Sequence, residues 1–562
     1  MDQIKLLHQE ELYSNLVVLG SLMKSVCSHN PDFLTPAENY QLNVYYADAL
    51  YEQEEYRKAE AAYEEAIQTK KAFTKTKDKT QDPRQKLLQQ SWNSESLPSE
   101  IDVRFKIHKC LMQMKNYREA ISTLEAIPAK LRKPKVNMAL AKLYQQFGKE
   151  RPATTAYKEV LRQCQLALDA AMGLFSLGVK GTEVASLTIS SLPNANQLEW
   201  LNFWLKGHAY SATKEYAKAV STFKSLETGS VLRNNTNVLC CLAENYFLAG
   251  DYTNAGLVYQ RVHSLDPLNI TGMDFYAFIL HKEKKSVELR SLASEMMSVT
   301  DRKPEPWITM GYHALISGPR KACRTVYFAN KAHELSYGQI QSLLLKGRAL
   351  LQMNRTPEAT LHFREAVRHA PHRFEAHQGL VDCYIKANRL REAMTTFSNS
   401  YHVLGSTPRT LTALASVLAK DRMTLDKAKT YLEKALAEDD SYVEAVYLLA
   451  NVLTEQDNTR GAIDLLRKHV ELQSNSRLHQ MLGDLLARTK DLLGASHHYS
   501  IAINLDTTNT KAVQGLQRVE NSSDSLDVGM DEDGDAVEES SEEAEFDTSD
   551  TVGAWTETEW LS

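Results

Sequence analysis

Glycine and proline are scarce in this chain, at 23 and 15 of 562 residues. That excludes architectures that reverse direction at frequent tight turns, and it points to helices. No run approaches the roughly 18 uninterrupted apolar residues of a membrane span. The first residues, with Asp2, His8, Glu10 and Glu11, lack the basic-then-apolar order of a signal peptide. Cysteine is equally thin: seven residues, with only Cys240 and Cys241 close together and no C-x-x-C spacing. Neither a zinc site nor a disulfide framework is expected, and a reducing compartment is. The phosphate-binding G-x-x-x-x-G-K-[ST], the nucleophile elbow G-x-S-x-G, the zinc helix H-E-x-x-H and the kinase motifs are all missing. His369, His372 and His377 straddle the turn at Pro371 and read as exposed turn histidines rather than metal ligands. His497 and His498 are neighbours on a helix and so point different ways. The chain is therefore expected to be no enzyme, with no cofactor, no metal and no small-molecule substrate.

Charge is unevenly spread. From Val519 to the end there are 16 Asp and Glu and no Lys or Arg. The net charge of −6 thus divides into a body of about +10 and a strongly acidic tail. Ten positive charges over so long a body are ordinary surface charge, too dilute to argue for nucleic acid.

What the chain has in abundance is a repeat. Between Ile340 and Arg373, Gly347, Leu350, Asn354, Ala359, Phe363, Ala366 and Pro371 occupy positions 8, 11, 15, 20, 24, 27 and 32 of a 34-residue unit. This is the spacing of a tetratricopeptide repeat, a helix–turn–helix that cannot bury its apolar face alone. Gly347 leaves room for the second helix, and Ala359 and Ala366 let the paired backbones approach. Phe363 fills the space between them, and Pro371 stops the second helix. The same packing positions recur at Ala59 and Tyr63, Ala120, Ala153 and Tyr157, Gly207 and Ala219, and Ala255 and Tyr259. They recur again at Ala393 and Phe397, and at Gly483, Ala495, Tyr499 and Ala502. The position-20 residues run 59, 120, 153, about 186, 219, 255, 289, 322, 359, 393, 428, 462 and 495. Apart from the first gap, their spacing is 33 to 37 residues. The expected fold is all-α, a superhelical solenoid of about 13 helix pairs.

The array has a preface, an interruption and a tail. Residues 1 to about 29 read as one helix, with Ile4, Leu7, Leu12, Leu16, Leu19 and Leu22 on one side. With the first repeat they form a segment, 1–68, apolar enough to seal a two-fold interface. Residues 69–99 break the phase with a polar stretch rich in lysine, read as a disordered surface loop or a basic docking or import segment. The array continues over 100–508. Residues 509–520 read as a helix that caps the last apolar face. Residues 521–562 read as a disordered acidic tail, in which Trp555 and Trp560 are either incidental or a short docking element that orders on binding.

Stacked helix pairs present a concave wall made by their first helices, suited to extended or helical peptides. Positions 2, 5, 9, 12 and 13 face that wall: Gln341, Leu344, Arg348, Leu351 and Gln352 in one unit, and Glu375, Gln378, Asp382, Ile385 and Lys386 in the next. In the last unit they are Arg477, Gln480, Asp484, Ala487 and Arg488. Arg348, Asp382, Lys386, Asp484 and Arg488 are the candidate groove residues. Repeats that clamp a chaperone's C-terminal carboxylate place Lys at position 5 and Asn at position 9, a pair that no unit here shows.

Beyond the repeat phase, particular stretches carry a resemblance. Ala156-Tyr157-Lys158-Glu159-Val160-Leu161-Arg162-Gln163-Cys164 runs on through Ala167-Leu168-Asp169-Ala170, followed by Val179-Lys180-Gly181 and Glu183-Val184-Ala185-Ser186. With Leu344-Leu345-Lys346-Gly347, His362-Phe363-Arg364-Glu365-Ala366 and the Trp-ended acidic tail, the chain from about Tyr40 resembles the subunit 7 family of the anaphase-promoting complex. The resemblance implies a non-catalytic scaffold subunit of a multi-subunit cullin–RING E3 ubiquitin ligase that drives mitotic exit. It also implies a homodimer through the N-terminal repeats, stacking on other tetratricopeptide subunits, and residence in nucleus and cytoplasm, with the mitotic spindle a further site. No residue pattern carries over the groove in which related subunits hold the Ile-Arg tails of activators. A tetratricopeptide adapter of another assembly, for transport or RNA processing, stands as the alternative.

Overall fold

The computed structural model describes residues 1–30, 33–76, 97–189, 198–229, 232–336 and 338–527. Among these residues there are 29 α-helices and no strand. The chain divides into two compact units, Met1–His369 and Ala370–Ser562.

The first unit opens with the helices Asp2–Gln9 and Tyr13–His29. Where one helix over 1–29 is expected, the backbone breaks at Glu11, which turns to φ +55°. The break lets Ile4 and Leu16 both bury fully, and they pack with Leu42 and Ala49. Nine helix pairs follow: Pro36–Glu52 with Tyr56–Thr76, Glu100–Gln113 with Tyr117–Glu125, Pro134–Gln146 with Glu150–Gln163, Leu168–Ser176 with Gly181–Thr188, Glu199–Ala212 with Tyr216–Gly229, Thr236–Ala249 with Tyr252–Leu265, Met273–Lys282 with Ser286–Val299, Pro304–Ile316 with Ala322–Leu335, and Ile340–Gln352 with Thr356–His369. The second unit has four: Phe374–Lys386 with Leu390–Leu404, Pro408–Leu418 with Leu425–Glu438, Val443–Glu455 with Thr459–Leu472, and Ser476–Arg488 with Leu492–Leu505. The helix Thr510–Asp527 closes the series.

Local chemistry sets the ends of these helices. Thr35 and Glu38 form a reciprocal capping box around Pro36, and Thr407 and Thr410 do the same around Pro408. Asn235, Asp251, Asn458 and Asp491 each accept a backbone N–H of the following turn. The turn inside a pair uses a left-handed residue, as at Asn354 (φ +59°) and Gly250 (φ +98°). The Asn354 and Arg355 N–H groups then return to the Leu351 and Leu350 carbonyls, satisfying the helix end.

Six of the pairs close on an aromatic ring seated over a small residue sixteen positions earlier. A Cβ at Gly347 would lie 2.7 Å from Phe363 Cζ. The same distance separates a Cβ at Gly207 from Phe223, and 2.9 Å one at Gly483 from Tyr499. Alanine fills the equivalent place opposite Tyr63, Tyr157 and Tyr259, at Ala47, Ala141 and Ala243, all fully buried. Ala59, Ala120, Ala153, Ala219, Ala255, Ala359, Ala366, Ala393, Ala495 and Ala502 are also fully buried, and Phe397 nearly so. Pro371 is exposed, in the turn that follows the helix end at His369.

Several elements depart from the periodic reading. The helix Tyr56–Thr76 continues through the phase break expected at residue 69. The rest of that insertion, except residues 97–99, lies outside the described residues. In the short pair Leu168–Ser176 and Gly181–Thr188, Ser186 is exposed and Val184 takes the buried place. Leu289 stays fully buried where alanine is usual. The closing helix runs to Asp527, beyond residue 520, and it caps the stack: Ala512 is buried and Gly515 sits beneath the Tyr499 ring. Residues 528–562, with Trp555 and Trp560, lie outside the described residues.

Candidate interaction surfaces

The N-terminal helices leave an apolar row in water. On Tyr13–His29, Leu16 and Gly20 face inward, and Gly20 lies so close to Tyr46 that a Cβ would come within 2.7 Å of the ring. The other side of the same helix carries Val18, Leu22 and Val26, spaced i, i+4, i+8, at 62%, 61% and 45% exposure. Leu6, Leu12 and Phe33 are about half exposed. Charged groups fix the helices beneath. His8 Nε2 lies 3.0 Å from Asp48 Oδ2, Lys106 Nζ lies 2.7 Å from both Asp48 oxygens, and Tyr63 donates to the same carboxylate. Burial alone would raise the Asp48 carboxyl, but the hydrogen bonds from His8, Lys106 and Tyr63 and the Lys106 charge hold it below its usual range. Lys24 Nζ pairs with Glu65 at 2.6 Å. The expected stripe therefore splits: Ile4 and Leu16 are core, whereas Leu12 and Leu22 are surface. Val18 and Val26 belong to a second apolar face that the periodic reading missed, although their spacing from Leu22 was there to find it.

The groove positions prove to be less open than the repeat spacing suggests. Gln341, Leu344 and Glu375, expected on the wall, are buried, whereas Gln378 and Arg477 at equivalent positions are exposed. Gln341 accepts from Tyr312 at 3.3 Å. Glu375 sits between Arg373 at 2.8 Å and Arg409 at 2.9 Å, and the Arg409 guanidinium stacks on Phe374 at 3.7 Å. Burial would raise the Glu375 carboxyl, yet the two guanidinium charges drive it far below the ordinary range.

Of the five candidate groove residues, Arg348 is half-buried with its guanidinium 4.4 Å over the Phe278 ring. Asp484 accepts from Tyr499 at 2.6 Å and from Gln480 at 3.1 Å, so it is a packing residue as much as a wall residue. Asp382, Lys386 and Arg488 are exposed. In the second unit, Arg488 shares a groove of about 360 Å³ with Lys420, Asn451 and Glu455. Lys420 was not singled out in the sequence, although it stands at position 12 of its unit.

The histidines divide by environment. His372 is exposed, whereas His377 is buried, accepts or donates at 2.7 Å with Ser400 Oγ, and meets the Pro371 carbonyl at 2.7 Å. It is thus a packing residue rather than an exposed turn histidine. His498 faces His479, with Nδ1 atoms 3.0 Å apart. Among the described residues no group of three or more His, Cys, Asp or Glu could hold a metal ion. Burial pushes the Cys110 and Cys241 thiols up to about 12, which leaves both as packing groups. No described helix is long and apolar enough to cross a membrane.

Comparison with known proteins places this architecture. A family model described as tetratricopeptide repeat matches residues 347–399 and 424–485. The crystal structure of the hetero-tetramer Cut9-Hcn1 of the anaphase-promoting complex shares the fold with a TM-score of 0.53 at 14% identity. The match covers 92% of this chain and 96% of that one. Anaphase-promoting complex subunit 7 of Mus musculus and of Homo sapiens are each 40% identical over 566 residues, covering 100% of this chain and 98% of theirs. With helix pairs throughout the described residues and relatives that match it along its whole length, this chain belongs to the anaphase-promoting complex subunit 7 family.

Proposed function

We propose that the chain is a non-catalytic scaffold subunit of the anaphase-promoting complex, a multi-subunit cullin–RING E3 ubiquitin ligase that governs mitotic progression and exit. The observation that carries this reading is the 40% identity to mammalian subunit 7 along the whole chain. The architecture supports it, because an array of helix pairs offers long side-chain surfaces for other chains. Its natural neighbours are other tetratricopeptide subunits of the same assembly, and Cut9, of the Cut9-Hcn1 hetero-tetramer, is the kind of neighbour meant. The nucleus and cytoplasm of dividing cells are its expected location. Purification of the tagged chain from such cells, with mass spectrometry of what accompanies it, tests the reading. Recovery of a cullin-like and a RING subunit with tetratricopeptide subunits is expected; another stoichiometric partner in their place overturns it.

The N-terminal segment supplies the finer part of the proposal, a homodimer through residues 1–68. The row Val18, Leu22 and Val26, with Leu6, Leu12 and Phe33, is apolar surface concentrated on one segment, and such patches mark interaction sites. Sedimentation of the full chain should give about twice 63.5 kDa. The double change Val18→Glu and Leu22→Glu should return it to a monomer with its helical content intact. A monomeric native chain, or a dimer indifferent to these changes, sinks this part of the proposal.

A further inference from the structure

The groove beside Arg488 has features that point to an occupant. Its floor is apolar, formed by Ala419, Leu448 and Val452, and its rim carries Lys420, Asn451 and Arg488. Lys420 and Arg488 are exposed and form no ion pair among the described residues, including with Glu455 on the same rim. Elsewhere in this unit Lys468 pairs with Asp440, Arg409 pairs with Glu375, and Arg477 stacks on Tyr447. Two unneutralised cations above an apolar floor fit a segment that is acidic and aromatic together.

The chain carries such a segment. Of the sixteen acidic residues after residue 518, all but Glu520, Asp524 and Asp527 lie in 528–562, which has no Lys or Arg and holds Trp555 and Trp560. The described residues end at Asp527, on the helix that closes the same unit as the groove. The groove is made by Pro408–Leu418, Val443–Glu455 and Ser476–Arg488 and the residues just after them, one to three helix pairs earlier. A coil of 35 residues has an end-to-end distance of roughly 30–35 Å, and neighbouring helices lie about 10 Å apart. The segment is long enough to reach. Being tethered, it meets the groove at an effective concentration on the order of millimolar, so weak contacts suffice.

We propose that residues 528–562 fold back across this groove, setting carboxylates against Lys420 and Arg488 and an indole of Trp555 or Trp560 on the Ala419, Leu448 and Val452 floor. The strap keeps the concave wall of the second unit occupied by the chain itself. A competing peptide must then displace it, and added salt weakens it because the charge pairs lie in solvent.

The test uses the full chain with a photo-cross-linking phenylalanine analogue at position 555 or, separately, 560. The expected cross-links join that position to peptides containing residues 416–420, 448–455 or 484–488. They should form within one molecule, in mixtures of light and heavy isotope-labelled chains, with a yield that does not rise with protein concentration. The double change Lys420→Glu and Arg488→Glu lies on exposed side chains and should melt like the native chain. It should lower the yield roughly five- to thirty-fold, the effect expected of two exposed ion pairs. The charge-preserving Lys420→Arg and Arg488→Lys should restore it. Cross-links to other regions, links only between different copies, no links at all, or a yield indifferent to charge reversal would each overturn the proposal.

Discussion

Gly347 and Phe363 make the repeat packing testable in one thermodynamic cycle. A Cβ on Gly347 would lie 2.7, 2.8 and 3.0 Å from Phe363 Cζ, Cε2 and Cε1, well inside the roughly 3.5–4.0 Å of a relaxed carbon contact. Gly347→Ala should therefore overpack the pair by about 1–3 kcal/mol. Alanine's better helix propensity returns about 1 kcal/mol, for a net loss of roughly 0–2 kcal/mol. Phe363 is fully buried, so Phe363→Ala should cost about 3–5 kcal/mol. In that background the ring is gone, the new methyl has space, and Gly347→Ala should become stabilising by about 1 kcal/mol. The sign change corresponds to a coupling of about 1–3 kcal/mol. A repeat array need not unfold in one step. Amide exchange over Ile340–Gln352 and Thr356–His369 is thus the better assay, since it reads the local opening free energy. Effects that add to within about 0.5 kcal/mol would show that the ring is not seated over Gly347, and the register would be wrong.

Ala359→Leu should overpack the same pair, since Ala359 is fully buried, at a cost of about 1–3 kcal/mol; a neutral urea midpoint would refute that contact. Glu375→Gln removes the charge between Arg373 and Arg409 and should cost the second unit about 3–5 kcal/mol, as expected when a buried ion pair loses one partner. Exchange protection in Phe374–Lys386 and Pro408–Leu418 reads it, and a loss below about 1 kcal/mol would mean the charges are solvated. His208 and His281 are both pushed down to about 4, His208 by burial and His281 by burial with the Arg348 charge. Unfolded histidine takes a proton near pH 6.5. The stability they contribute is complete above that pH and lost progressively down to about 4, at up to about 1.4 kcal/mol per pH unit for each. Urea midpoints that stay level between pH 7 and 4.5 would contradict this.

The repeat itself was legible in the sequence because its determinants are short-range. A small residue at position 8 or 20, in most units an aromatic or leucine at 24, and a turn near 15 recur every 33 to 37 residues, and each pair must bury the same face. Packing positions named from that pattern, such as Ala59, Ala359, Phe363 and Ala495, are buried, whereas Ser186 and Asn354 are exposed and Pro371 lies in an exposed turn after its helix. The site was less legible. Wall positions follow from one helix's geometry, yet Gln341, Leu344 and Glu375 are core while Gln378 and Arg477 at equivalent positions are exposed. The His479 and His498 contact joins two helices, so helix spacing alone could not supply it.

The amino-acid order by itself determined the class, the number of helix pairs and which face of each pair is apolar, since these depend on residues within one 34-residue unit. Tertiary structure alone decided which apolar residues stay outside. Leu16 and Leu22 look alike in sequence, yet one is sealed beside Leu42 and the other faces water, because burial depends on what lies across from a side chain. Likewise only the folded second unit brings Lys420 and Arg488 to one rim with no ion pair between them and its Glu455, while it encloses Glu375 between two arginines. Charge and hydrophobicity are properties of residues, but exposure and pairing belong to the assembled stack.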